Sequence, residues 1–287
     1  MEPTTPKLAR RLWRAIEPIH AIAYFDPGPT DALKALGLRG FWMSYFAGRF
    51  APLGAVGPGP ATAMAFGFAP RRVARALPDA WHLVPPPAVV AERLASAGRA
   101  LKQRLPATSA ADLHELVDLL SVAASACRCD GRPLAAGWLE VDPGDDLLEI
   151  LWTRTTVLRE HRGDGHVLAA VNLGLGGLDA SLTHVATGAV PRDVMQTTRA
   201  WTDEEWDEGV RRLQERGLLD GESRLTETGS EIRGQLEETT DQLATEPVER
   251  LGEVGVERAI ELAAPLSRWL VDSGVVPSLN PIGVPRA

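Results

Sequence analysis

Helical periodicity is the feature that most constrains how this chain can fold. In the first segment, apolar residues recur three or four positions apart, at Leu8, Leu12, Trp13, Ile16, Ile19 and Ala23. Such spacing places apolar side chains on one face of an α-helix, and similar patterns return along most of the chain. Clusters rich in Gly and Pro at 26–30, 54–60 and 142–146 separate these segments. The sequence therefore predicts a mainly α protein.

Charge is distributed unevenly along the 287 residues. Residues 1–105 hold 14 Lys and Arg against 6 Asp and Glu, whereas residues 106–287 hold 16 against 32. Together with a Pro-containing linker at 106–109, this asymmetry predicts two helical domains, 1–105 and 106–287. The halves could dock through complementary surfaces, or the basic half could bind an anion. Because we find neither an apolar run near 18 residues nor a signal peptide, we expect a soluble cytoplasmic protein.

A weak internal repeat suggests that the two halves are related. Gly48-Arg49, followed by Pro70 and Trp81, aligns with Gly165-His166, followed by Pro191 and Trp201. In each copy the Trp precedes an amphipathic helix. The pattern predicts duplicated helical units, the first of them a degenerate copy, although chance similarity between Gly- and Pro-rich helical segments is an alternative.

The clearest local pattern lies at about 190–245, where helix, helix, hairpin and helix signals follow one another. Thr202 and Glu205 have the spacing of a capping box, and Gly217 marks the end of that helix. Asp220-Gly221 then lies between two short apolar stretches, which is typical of a β-hairpin turn. This order predicts a winged helix-turn-helix, with a small β-hairpin wing, in the C-terminal half.

Two family resemblances accompany this pattern. The string LQERGLLDGESRLTETGSEIR (Leu213–Arg233) resembles the MarR-type repressors, whose wing is framed by similar RGL and LT..G stretches. That resemblance implies DNA-binding ancestry and a homodimer formed through terminal helices. The whole chain also resembles an actinobacterial family of winged-helix-like proteins of unsettled function, on the strings Glu17-Pro-Ile-His20, Gly37–Trp42, Leu158–His166 and Asn280–Gly283. This second resemblance implies a fold and no particular activity.

The chain departs from the repressor pattern at the helix that would contact bases. Its first turns, Thr202–Glu208, contain five carboxylates and no cation. DNA is a polyanion, and a recognition helix contacts bases with its N-terminal end. We therefore expect nucleic acid to be the less favoured partner, and we favour a small-molecule-binding protein on a repurposed winged-helix scaffold. The alternative is a MarR-like DNA-binding regulator with a ligand pocket.

The densest polar cluster is Arg159–His166. His161 or His166 could carry a proton, with Asp164 orienting the imidazole, and these three are the predicted catalytic residues. Arg159 and Arg162 could clamp a carboxylate or phosphate. We also expect Arg162-Gly-Asp-Gly165 to interrupt the helix, so that an alternative explanation of the cluster is a helix end with structural histidines.

The N-terminal half supplies further candidate ligand-binding residues. His20 and Tyr24 lie one helical turn apart, and aromatic and Arg side chains follow at Arg39, Trp42, Tyr45 and Arg49. Such a lining suits a flat or anionic small molecule, although plain core packing would produce the same pattern. If the repeat is real, Arg49 matches His166, and an Arg/His/Asp pocket lies between the halves. Such a pocket would suit a ligand-binding site or a cofactor-free acid–base enzyme.

The sequence leaves the cofactor unknown. The spacing of His161 and His166, across two glycines, is not the i, i+4 spacing of a helical metal site, so we do not favour a metal. A haem needs only one axial His, but no C-x-x-C-H motif is present. Two cysteines, Cys127 and Cys129, are too few for a Cys-rich zinc site.

Overall fold

A computed structural model describes residues 5–283 and residue 286, and it is mainly α-helical. The first half contains α1 (Thr5–Phe25), α2 (Pro27–Ala35), α3 (Gly40–Phe50), a 3₁₀ turn (Ala51–Leu53), α4 (Pro58–Ala65), α5 (Pro70–Ala74), α6 (Asp79–Leu83) and α7 (Pro86–Arg104). The second half contains α8 (Ala110–Ser125), α9 (Pro133–Leu139), α10 (Leu147–Asn172), α11 (Gly177–Ala186), α12 (Arg192–Arg199), α13 (Asp203–Glu215), α14 (Glu227–Gln242) and α15 (Glu246–Asp272). The prediction of a mainly α chain is confirmed.

Local capping signals explain several of these boundaries. The Asp146 carboxylate accepts hydrogen bonds from the first backbone amides of α10. Thr202 and Glu205 form the predicted capping box at the start of α13. Gly217 has a φ of +69°, which is the left-handed conformation that commonly ends a helix. The backbone of these segments is therefore set by nearby residues, which is why the sequence predicts it well.

The long helix α10 is the centre of the molecule. It packs against α1 and α7 from the first half and against α8, α9 and α14 from the second half. Two indole hydrogen bonds join the second half to the first. Trp152 in α10 donates to the carbonyl of His20 in α1, and Trp138 in α9 donates to the carbonyl of Arg49 in α3. One hydrophobic cluster contains buried side chains from both sides of residues 105 and 106. The division into two domains stays a prediction.

The predicted β-hairpin wing is wrong. Between α13 and α14, the described chain has one isolated antiparallel bridge, Leu219 with Leu225, and residues 5–283 contain no β-strand. The reason lies in the Asp220 side chain, which accepts hydrogen bonds from the backbone amides of Glu222 and Arg224. Those amides fold around a carboxylate instead of extending a ladder, so the segment is a tight turn.

The predicted interruption at Arg162–Gly165 is also wrong, because α10 runs through it without a break. Packing explains the glycine at position 165. A Cβ at Gly165 would lie 3.3 Å from the Leu243 side chain, so glycine allows α14 to approach closely. Within the described residues, no helix is both long and apolar enough to cross a lipid bilayer.

We predict that Gly177→Ala destabilises the fold strongly. A Cβ at this position would lie 1.8 Å from the carbonyl oxygen of Phe66, so the loop of the first half must move away from α11. Overpacking of this kind costs about 1–3 kcal/mol or more. Gly234→Ala is the matched control, because this exposed helical glycine has no neighbour within 4 Å. It should stabilise the protein by up to about 1 kcal/mol. Urea denaturation measures both, and equal effects would contradict the packing argument.

Candidate functional site

A cleft of about 1230 Å³ lies between the two halves. Its walls come from α1, α3, α10, α11, α14 and the loop that joins α4 to α5, and the C-terminal segment contributes Pro281, Ile282 and Gly283. Many of its polar lining side chains are arginines, at Arg10, Arg14, Arg49, Arg159, Arg162, Arg199 and Arg233. We describe its two ends separately, because their cations are paired differently.

The first end, called here the arginine end, is organised by Glu160. Arg49 donates from Nε and Nη2 to the two carboxylate oxygens of Glu160, at 2.9 Å each, and Arg159 donates to the same carboxylate at 2.8 Å. Glu160 is fully buried. Although burial alone would raise its pKa, the charges of Arg159 and Arg49 lower it to about 2. The carboxylate is therefore ionised at neutral pH and holds both guanidinium groups in the cleft wall.

A second buried carboxyl, Glu17 on α1, lies beside this pair. It accepts a hydrogen bond from the indole of Trp13 at 2.8 Å, and its oxygen lies 3.6 Å from Nε of Arg159. Burial raises the pKa of Glu17, which weakens it as a counter-ion for the arginines. The arginine end thus depends mainly on Glu160 for negative charge.

Arg199, the last residue of α12, adds a third cation at this end. Its guanidinium stacks on the ring of Phe68 at 4.2 Å and donates to the carbonyl of Pro281 at 3.1 Å. Within the described part of the chain, no carboxylate forms a salt bridge with Arg199. Burial lowers the pKa of Arg199, and the charges of Arg49 and Arg159 lower it further, whereas a hydrogen bond with Tyr45 raises it.

At the other end, called here the histidine end, each arginine has an acidic partner. Arg162 donates to Asp241 at 2.8 Å, and Arg233 donates to Glu237 at 2.7 Å. Arg10 contacts both of these carboxylates. Arg10, Arg162 and Arg233 are therefore each already paired with a carboxylate of the protein.

Two imidazoles, His166 on α10 and His184 on α11, face the cleft at the histidine end. Nδ1 of His166 lies 3.0 Å from the hydroxyl of Thr240, and Nδ1 of His184 lies 3.4 Å from Nη2 of Arg233. Burial, reinforced by nearby arginines, lowers the pKa of each imidazole to about 4. Both are neutral at physiological pH.

The other two predicted catalytic residues lie outside the cleft. His161 Nε2 accepts a hydrogen bond of 2.8 Å from Arg132, and burial together with the Arg132 charge lowers its pKa to about 3. Asp164 accepts a hydrogen bond from the backbone amide of Ala135 at the start of α9. These contacts join α10 to its neighbours, and they do not bring His161 or Asp164 together with His166 around a ligand.

The predicted ligand-binding residues also divide. Tyr45 and Arg49 line the cleft, as do Arg159 and Arg162, whereas His20, Tyr24, Arg39 and Trp42 do not. His20 is buried behind the wall, stacked on Trp152 and hydrogen-bonded to Thr156.

Arg39 and Trp42 lie elsewhere on α3 or just before it. Arg39 is exposed, and Trp42 lies under the guanidinium of Arg72 at 4.5 Å. Sequence reasoning missed Arg199, His184, Arg233 and Glu160, because no local motif marks them and only the fold brings them to the cleft. Within the described residues, no group of three His, Cys, Asp or Glu side chains could hold a metal ion.

The resemblance to MarR-type repressors implies that α13 would contact DNA bases. The start of this helix and the residues just before it are partly covered by the first half. Arg71 on α5 contacts both the Glu205 carboxylate and the carbonyl of Ala200, and Trp201 donates to the carbonyl of Gly67 at 2.9 Å. The other acidic residues of the first turns of α13 remain exposed: Asp203, Glu204, Asp207 and Glu208. The end of α13 that would enter a groove is thus acidic and in contact with α5.

We predict that Asp164→Asn stabilises the protein at neutral pH. Burial raises the pKa of Asp164 from 3.8 to about 6. Because the folded pKa lies above the unfolded pKa, the wild-type chain is favoured at low pH and loses this contribution as pH rises through about 6. The variant should be more stable by about 1–3 kcal/mol at pH 7.5 and similar near pH 4.

Urea denaturation across this pH range measures the effect, with Asp145→Asn, an exposed carboxylate, as the control. A stability difference for Asp164→Asn that does not change with pH would contradict the assignment.

Comparison with known proteins gives one match. A family model described as the helix-turn-helix family matches residues 9–277. No curated protein and no solved structure matches the chain significantly. Because the family model covers nearly the whole chain, this protein belongs to that helix-turn-helix family.

Proposed function

We propose that this protein binds a small organic anion in the cleft, on a helix-turn-helix scaffold in which α13 does not contact DNA bases. The observation that carries the proposal is that Arg199, at the arginine end, has no carboxylate partner among the described residues. Arg49 and Arg159 lie near it, and both donate to the carboxylate of Glu160.

Arg199 is half-buried at the cleft wall, and a carboxylate partner would stabilise its charge there. Burying a charged group away from water is unfavourable unless an opposite charge or several hydrogen bonds compensate it. Among the described residues, Arg199 donates to a backbone carbonyl and stacks on an aromatic ring, and two like charges lie nearby. A carboxylate or phosphate bound in the cleft would accept hydrogen bonds from the guanidinium and offset that repulsion.

The size and lining of the cleft favour an organic molecule over an inorganic ion. Its volume of about 1230 Å³ is at or above the upper end of the usual range for small-molecule sites. Aromatic side chains of Trp13, Tyr45, Phe66 and Phe68 lie along the walls. These surfaces suit a flat, partly apolar ligand that carries an acidic group.

The contacts of the predicted catalytic residues reduce the number of residues that could carry out acid–base chemistry in the cleft. His161 and Asp164 are engaged with Arg132 and with α9, so an acid–base reaction in the cleft would rely on His166. We therefore restrict the proposal to binding by Arg199, Arg159, Arg49 and Tyr45.

We predict that Arg199→Gln weakens binding of aromatic acids by about tenfold or more, because a hydrogen bond to a charged partner contributes roughly 1.5–3 kcal/mol. Isothermal titration of benzoate and biphenyl-4-carboxylate measures this, with neutral benzamide as the ligand control. Arg211→Gln removes an equal charge from the exposed surface of α13 and should leave the affinity unchanged within twofold. Equal losses in both variants, or equal binding of benzoate and benzamide, would contradict the proposal.

The family match supports a second candidate function, a DNA-binding regulator that uses the same cleft for its effector. The exposed acidic residues at the start of α13 disfavour it, because binding to DNA gains with each phosphate that Lys or Arg neutralises.

A gel shift with pooled genomic fragments at low salt discriminates the two functions. We expect no stable complex at micromolar protein concentrations. A tight complex that weakens steeply with added salt would make DNA the primary partner.

A further inference from the structure

The tautomers of the two cleft histidines are fixed by their neighbours. Thr240 donates its hydroxyl proton to the carbonyl of Leu236 at 2.7 Å, so its oxygen accepts from Nδ1–H of His166. The proton of the neutral His166 ring is therefore on Nδ1, and its Nε2 is an acceptor.

His184 has the opposite arrangement. A guanidinium can only donate, so Nδ1 of His184 accepts from Arg233, and the ring proton lies on Nε2. Neither Nε2 atom has a hydrogen-bond partner among the described residues, and both residues line the cleft. The histidine end thus presents one acceptor and one donor on neutral rings.

The charges around these rings disfavour a charged ligand group at the histidine end. Arg10, Arg162 and Arg233 are already paired with Glu237 and Asp241, so an anion finds no free cation there. A ligand cation would have to displace these arginines from Glu237 and Asp241. A neutral group that both accepts and donates hydrogen bonds is the best complement.

The C-terminal segment contacts both ends of the cleft and therefore limits the distance between them. The carbonyl of Pro281 contacts Arg199, and a Cβ at Gly283 would lie 3.6 Å from Nε2 of His184. Residues 281–283 form a turn, and two residues span at most about 7 Å, so the two ends lie within reach of a ligand that contains one or two aromatic rings.

We infer that the histidine end is a second binding subsite, which takes a neutral carboxamide or hydroxyl group through His184 as donor and His166 as acceptor. The inference rests on the proposed function, since the acidic group of the same ligand would lie at Arg199. The ligand class is a flat acid that carries a neutral polar group one or two ring lengths from its carboxylate.

Four probes test this subsite: benzoate, 4-carbamoylbenzoate, biphenyl-4-carboxylate and 4′-carbamoylbiphenyl-4-carboxylate. In the wild-type protein, the carboxamide should raise affinity about five- to tenfold at one of the two lengths, as expected for net hydrogen bonds. In His184→Phe and His166→Phe, this gain should fall below twofold while the affinity for the parent acid is kept. His114→Phe, at an exposed position on α8, is the control.

The outcomes separate the two proposals. If the wild-type protein binds the parent acids but gains nothing from the carboxamide, or if both His variants keep the gain, the subsite is overturned and the anion site stands. If no acid binds, the anion site fails and the subsite fails with it. Long-range ¹H–¹⁵N spectra give a readout that needs no ligand: His166 should carry its proton on Nδ1 and His184 on Nε2, and the reverse assignment would overturn the inference.

Discussion

The carboxylate of Glu160, fully buried on α10, accepts hydrogen bonds from Arg49 on α3 and from Arg159 on its own helix. This contact joins the two halves of the chain at the floor of the cleft and fixes two guanidinium groups there. Breaking a buried ion pair by removing one partner typically costs about 3–5 kcal/mol, so the arrangement is well defined. The positions of Arg49 and Arg159 at the arginine end follow from this contact, whereas Arg199 is held by Phe68 and Pro281.

The helix-turn-helix elements have a structural role in this cleft. Residues of α11 and α14 line it, and α12 ends in Arg199. The start of α13 contacts α5 through Arg71 and Glu205, which joins this part of the chain to the first half. Membership of the family therefore describes the scaffold. The ligand binding that we propose depends on side chains that the scaffold brings together.

Features set by neighbouring residues were predictable from the sequence, and features set by distant residues were not. The capping box at Thr202 and Glu205 involves residues three positions apart, and the sequence predicts it correctly. The break at Arg162–Gly165 was wrong because helix packing at Gly165 outweighs the low helix propensity of glycine. The wing was wrong because the Asp220 carboxylate captures amides that a β-ladder would need.

The candidate site shows the same division. Local composition identifies Arg49 and Arg159 as candidates. Their shared partner Glu160 follows Arg159 directly in the sequence, but no motif marks it. Arg199 lies 131 positions after Phe68 and 82 positions before Pro281, its contacts in the fold. A crystal structure with 4-bromobenzoate, located by the anomalous signal of bromine, tests the central claim most directly. We predict a carboxylate within hydrogen-bonding distance of Arg199 at the arginine end, and bromine density only outside the cleft would contradict it.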